Sequence, residues 1–134
     1  MSKKKILFID DSVNLLQALK ARLGLEMEDV EVLMAYDGNE GIALARAQKP
    51  DLIFLDINMP NLNGDEVLKQ LKSSDASSTE RAIPIIILTS YGPELRDRYI
   101  AAGATDYMTS PFDSGELIQR VKQLLNYDDS SSSL

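Results

Sequence analysis

With 134 residues, 44% of them apolar and 26% charged, the chain has the size and composition of one soluble globular domain and is neither disordered nor fibrous in character. Lys and Arg number 14 against 21 Asp and Glu, a net charge of −7 that repels phosphate backbones and anionic lipid, so no direct nucleic-acid or membrane-surface binding is expected. Cys and His are both 0, which excludes disulfides, thiol nucleophiles, imidazole bases and His-bound zinc and leaves carboxylates, hydroxyls, amines and backbone to carry any chemistry.

The start Met1-Ser2-Lys3-Lys4-Lys5 is charged, but a strand-length apolar run and then acid follow, so it does not read as a signal peptide. No apolar run approaches the length of a membrane span, and a cytoplasmic location is expected. Ile6-Leu7-Phe8-Ile9 is continuous and apolar and predicts a buried strand. Val13, Leu16, Leu19 and Leu23 share one helical face and predict a helix from Ser12 to Leu23, with Gly24 as its stop. Val30 to Ala35 is a second strand, and Gly38 to Gln48 a helix that ends before Pro50. Leu52-Ile53-Phe54-Leu55 is a third buried run, ended by Asp56; after a Pro/Asn/Gly loop a helix runs from Gly64 through Leu71. The serine-rich stretch from Ser73 to Glu80 reads as a loop within the domain, because the fourth strand, Ile85 to Leu88, follows at once. Residues 93–102 predict a fourth helix ending at Gly103, Ala104 to Met108 a fifth strand, and Ser114 to Asn126 a fifth helix. One domain is expected over residues 3–127, followed by a disordered acidic, serine-rich tail over 128–134.

Strand and helix alternate five times, so the expected architecture is α/β: parallel strands, right-handed crossovers, and helices on both faces of a doubly wound sheet. In such a fold the site lies outside the C-terminal ends of the strands, where the strand order reverses. Strand one ends in Asp10-Asp11, strand three in Asp56 and strand four in Thr89-Ser90, while Ser110-Pro111-Phe112 follows strand five. Any one of these aspartates could simply cap a helix. Three gathered on one rim repel one another, and a hard divalent cation would relieve that cost. The set therefore points to a Mg²⁺ and phosphoryl site, with Asp56 as the nucleophile and the Thr89 hydroxyl as a donor to phosphoryl oxygen.

Asp10-Asp11, Asp56-Ile57-Asn58-Met59-Pro60-Asn61-Leu62-Asn63-Gly64, Thr89-Ser90, Gly103-Ala104 and Ser110-Pro111-Phe112, in that order, resemble the CheY-like receiver domain of bacterial two-component response regulators over about residues 4–126. The resemblance implies a flavodoxin-like sheet of strand order 2-1-3-4-5. It implies a regulatory phosphoacceptor, not an enzyme with a separate substrate, that takes a phosphoryl group on Asp56 from a sensor histidine kinase, a phosphotransfer protein or a small phosphodonor. Asp10, Asp11, Asp56 and the Asn58 backbone carbonyl would hold Mg²⁺. Thr89 and Ser90 would lie on the phosphoryl group, and Tyr107 would be the aromatic that changes rotamer on activation. Asn58 and Tyr91 would flank the path of the attacking water and tune the lifetime of the acyl phosphate. Tyr99 and Tyr107 suggest a docking face for an effector protein, made by the fourth helix, fifth strand and fifth helix, with exposed aromatics fitting such an interface, while Tyr99 could equally be core. Little chain remains after the last predicted helix, so a stand-alone regulator without an output domain is expected.

One position departs from the pattern. The family's Lys before the cis-prone Pro-Phe is Ser110 here, and no Lys occurs between Lys72 and Lys122. Lys3, Lys4 and Lys5 belong to the wrong end of the sheet, which leaves Arg96 and Arg98 as the nearest conceivable donors. A charge-assisted hydrogen bond contributes roughly 1.5–3 kcal/mol. Its loss would slow phosphoryl transfer by roughly tenfold to a hundredfold, with weakened or rewired signalling. The alternative is a pseudo-receiver, a protein-binding module that works without phosphate. An Asp-nucleophile phosphatase is disfavoured because Asn58 stands where a general acid would be needed. A flavin carrier is disfavoured because Asp10-Asp11 would repel a phosphate.

Overall fold

Each continuous apolar run becomes a strand, because only a sheet covered on both faces can bury side chains that alternate in direction. The computed structural model describes residues 3–59, 63–73, 76–111 and 113–125. Its strands are β1 (Lys4–Ile9), β2 (Val30–Ala35), β3 (Leu52–Asp56), β4 (Ile85–Thr89) and β5 (Asp106–Thr109), all parallel in the order β2-β1-β3-β4-β5. The helices are α1 (Val13–Glu26), α2 (Gly38–Gln48), α3 (Gly64–Lys72), α4 (Ser78–Ala82), α5 (Arg96–Ala101) and α6 (Ser114–Leu124), with a 3₁₀ turn at Pro93–Leu95 leading into α5. This is the expected flavodoxin-like, CheY-like arrangement. Among the described residues no helix is long and apolar enough to cross a membrane.

The alternation of side chains divides the core in two. Leu7, Ile9, Ile53, Leu55, Ile85 and Ile87 point to one face, where α2, α3 and α5 pack. Ile6, Phe8, Leu52, Phe54, Ile86 and Leu88 point to the other, under α1 and α6. Phe8 and Phe54 are register partners on neighbouring strands and stack with ring centroids 4.8 Å apart. This two-sided burial holds β1, β3 and β4 rigid, and so places their C-terminal ends side by side.

Several expectations are corrected. Gly24 does not stop the first helix: α1 continues through it to Glu26, and the chain turns extended only at Met27, whose side chain is buried in the core. Val13, expected on the buried face of that helix, is 45% exposed. The stretch read as a loop from Ser73 to Glu80 contains the start of α4, where the Ser77 side chain accepts the Glu80 N–H as a helix cap. Ser-x-x-Glu is a capping signature that could have revealed it. β5 begins at Asp106, two residues later than expected, and runs through Thr109. The fourth predicted helix opens as a 3₁₀ turn after Gly92, and its stop at Gly103 holds, with φ +113° there. Asn126 and the tail over 128–134 lie outside the described residues.

Candidate functional site

The rim formed by β1, β3 and β4 is where the sequence-predicted acids meet. Asp10 follows β1 and is 7% exposed; Asp56 ends β3 half-buried; Asp11 is exposed. One carboxylate oxygen from each lies within 4.8 Å of the other two. Asp10 is fixed by the Ser12 backbone N–H, 2.9 Å from its Oδ1, and Ser12 in turn caps α1. Asp56 is fixed by the Asn58 N–H, 3.1 Å from its Oδ1. Burial pushes the Asp10 carboxyl up to about 6, and the charges of Asp56 and Asp11 add to the effect against the Ser12 hydrogen bond. Asp56 is raised too, chiefly by burial, with Asp11 adding repulsion and the N–H groups of Asn58 and Ile57 opposing it.

A cavity of about 150 Å³ opens beside these acids, lined by Asp10, Asp56, Thr89, Ser90 and Ser110 together with Leu15 and Leu88. Thr89 is 3% exposed, and its Oγ1 accepts the Tyr91 N–H at 3.0 Å. Ser110 is drawn to the same place because its N–H donates to the Thr89 carbonyl at 2.6 Å, ahead of a cis Ser110–Pro111 peptide. Leu15 and Leu88 were not singled out from sequence; a leucine one turn into a helix carries no signal beyond core packing. Gly64 has a reason that sequence alone did not supply. A Cβ there would overlap the backbone of Asp56 and Ile57, so only glycine lets α3 start this close to the end of β3.

Tyr107 is buried, and its hydroxyl donates to the Gly92 carbonyl at 2.8 Å. Burial raises its phenol, Glu94 raises it further, and a hydrogen bond with the Thr89 side chain acts the other way. Tyr99 is buried as well, stacked on Tyr107 with centroids 6.0 Å apart. Of the two readings of Tyr99, the core one holds, and the expectation of exposed interface aromatics at Tyr99 and Tyr107 is corrected: both turn inward to cover the edge of the core. Tyr91 is 46% exposed at the mouth of the site.

Neither arginine considered as a substitute for the family's Lys serves the cavity. Arg96 pairs with Asp106 at 2.7 Å and Arg98 with Asp65 at 3.1 Å. Lys5 reaches the Gln48 carbonyl and side chain at the far end of the sheet. Among the described residues the cavity lining contains no Lys or Arg. Three clustered oxygen ligands, two of them on carboxyls whose pKa burial raises and none facing a Lys or Arg in the cavity lining, match a hard divalent ion such as Mg²⁺.

The response regulator receiver domain model matches residues 6–122. The chain is 39% identical over 122 residues to Protein PilH of Pseudomonas aeruginosa, covering 90% of this chain and 97% of that protein. It is 40% identical over 124 residues to the alkaline phosphatase synthesis transcriptional regulatory protein PhoP of Bacillus subtilis, covering 91% of this chain and 48% of that one. It likewise spans about half the length of the probable transcriptional regulator ycf27 of Cyanophora paradoxa. Among solved structures, the chemotaxis response regulator CheY4 of Vibrio cholerae superposes with a TM-score of 0.80 at 31% identity, over 92% of this chain and 99% of that chain. The Francisella response regulator 1452 receiver domain gives 0.79 at 32% identity, over 91% and 96%.

Proposed function

The chain belongs to the response regulator receiver domains of two-component signalling, and on that footing we propose that it is a phosphoacceptor whose Asp56 takes a phosphoryl group from a sensor histidine kinase or phosphotransfer protein. The observation that carries this reading is the gathering of Asp10, Asp11 and Asp56 within 4.8 Å, next to a cavity that Thr89 and Ser90 line. An Asp56 oxygen attacks phosphorus. A P–O bond forms as the P–N bond to the donor histidine breaks, and the imidazole leaves with the electron pair and takes a proton from solvent. Asp10, Asp11, Asp56 and the Asn58 carbonyl would hold Mg²⁺, which when bound supplies positive charge to the phosphoryl oxygens and to the crowded acids. The Thr89 hydroxyl donates to a phosphoryl oxygen, Ser90 and Ser110 offer neutral hydroxyls beside it, and Asn58 and Tyr91 screen the line of water attack.

Signalling proceeds by docking to an effector protein on the face of α5, β5 and α6, with Tyr107 as the switch aromatic, and without direct contact to nucleic acid or membrane. The chain works in the cytoplasm, as a regulator and not as an enzyme acting on a separate substrate. Ser110 slows phosphoryl transfer and alters the coupling to that face. The cation-free lining of the cavity favours one second reading, a pseudo-receiver that binds partners unphosphorylated.

Incubation with Mg²⁺ and acetyl phosphate, followed by intact-mass measurement, separates the two readings. The expected result is a gain of one phosphoryl group that is absent in Asp56→Asn and absent when EDTA replaces Mg²⁺. No adduct on the parent protein would overturn the phosphoacceptor reading.

A further inference from the structure

The largest of the described cavities is not the phosphoryl pocket. A groove of about 550 Å³ runs between α3 and α5, on the face of the sheet away from α1 and α6. Its floor is apolar, made by buried Leu68 and Tyr99 and by Ala102. Lys69, Lys72, Arg98 and Asp65 stand around it. We propose that this groove is a second binding site, for a small amphiphilic anion: a carboxylate, sulfonate or phosphate ester carried on an apolar, ring-sized body. The proposal lies beyond the phosphoacceptor reading and does not depend on it.

Charge selects the ligand. The chain carries −7 overall, yet this groove gathers three cations against one carboxylate. Arg98 lies 3.1 Å from Asp65 Oδ2, so that pair cancels. The Lys72 ammonium donates to the carbonyls of Arg81 at 2.8 Å and Ile83 at 2.7 Å, which engages two of its three hydrogens without neutralising its charge. Lys69 is exposed and makes no ion pair among the described residues. Two positive charges are thus left over an apolar floor. Half-burial already lowers the Lys72 ammonium, and an incoming anion would relieve that strain on its charged form. Asp65 does not compete with Lys69 and Lys72 for the anion: its carboxylate faces the Arg98 guanidinium and the Tyr99 hydroxyl, whose phenol it helps to raise. The volume falls in the range of small-molecule sites, roughly 300–1,000 Å³, which favours a compact ligand over a protein segment.

The anilinonaphthalene sulfonate dye ANS has the required chemistry: an anionic group on fused rings. Titration of the full chain, read by dye fluorescence and by amide NMR shifts, is expected to saturate at one dye per chain and to move the amides of residues 65–73 and 98–102. Lys69→Glu is expected to weaken binding roughly fivefold, the scale of reversing one exposed charge contact. Lys20→Glu changes net charge equally from α1 and is expected to leave binding unchanged. Ala102→Phe fills the groove from an exposed position of ordinary helical backbone and is expected to weaken binding roughly tenfold or more. Shifts confined to other surfaces, equal effects of Lys69→Glu and Lys20→Glu, or an indifferent Ala102→Phe would each sink the proposal. So would a peptide of alternating glutamate and leucine that moves these amides when ANS does not, because it would identify a protein-docking groove.

Discussion

Asp10 and Asp106 are both aspartates at the end of a buried strand, and they meet opposite surroundings. Asp106 opens β5 with Arg96 on one oxygen and Arg120 on the other, and the Tyr107 backbone N–H adds a third donor at 2.8 Å. Asp10 lies past the other end of β1, 7% exposed, with Asp11 and Asp56 for neighbours and a single backbone N–H for support. On the proposed function, the contrast separates a structural acid from a metal-binding one. Where fixed guanidiniums close the charge, the carboxylate ties α5 and α6 across β5 and has no capacity left for a ligand. Where a backbone donor is the support, the repulsion stays open, and the proposed metal ion is what would relieve it.

The contrast can be tested by giving the pocket what the other region has. Ser110→Lys places an ammonium beside Asp56, and the rate of acetyl phosphate labelling is expected to rise roughly tenfold to a hundredfold, from one charge-assisted hydrogen bond in the transition state. An unchanged rate would mean that the missing cation is irrelevant to transfer. Neutralising each acid should then shift stability in opposite directions. Without metal, Asp10→Asn is expected to stabilise the fold by about 1–3 kcal/mol, since each unit of raised pKa corresponds to about 1.4 kcal/mol. Asp106→Asn is expected to cost about 1 kcal/mol, as two partly exposed guanidiniums lose their partner. Urea titration in EDTA measures both, and a shared sign would erase the distinction.

The pH dependence follows from the raised Asp10 carboxyl. The folded chain holds that proton up to about 6, while the unfolded chain releases it near 3.8, the ordinary value for an aspartate. Between those values the native state binds more protons, so stability in EDTA is expected to increase as pH falls from about 6 toward 3.8 and to level off above 6. Thermal melts of Asp10→Asn should show a smaller slope, since Asp56, raised chiefly by burial, still contributes one of the same sign, and Mg²⁺ at neutral pH should raise the melting temperature of the parent more than that of the variant. The smallest effect is that of salt. Raising ionic strength should stabilise the metal-free pocket and weaken the Asp106 network, each by roughly a few tenths of a kcal/mol.

Much of this molecule can be read from the chain alone. The continuous apolar runs at residues 6–9, 52–55 and 85–88 are strands because their lengths and flanking residues leave no other way to bury them. Once those strands are parallel, topology carries Asp10, Asp11, Asp56, Thr89 and Ser110 to one rim, and they are found there. These inferences succeed because hydrophobic period and chain direction are local properties. The partners of the charged side chains are not. Arg96 and Arg98 stand within ten residues of Thr89, yet they turn to Asp106 and Asp65; Tyr99 turns into the core; Met27, not Gly24, ends the first helix. Only packing in three dimensions decides which way a helix presents its long side chains, so only the tertiary structure could decide that, among the described residues, the cavity beside the rim acids is lined by no Lys or Arg while the groove between α3 and α5 is lined by three.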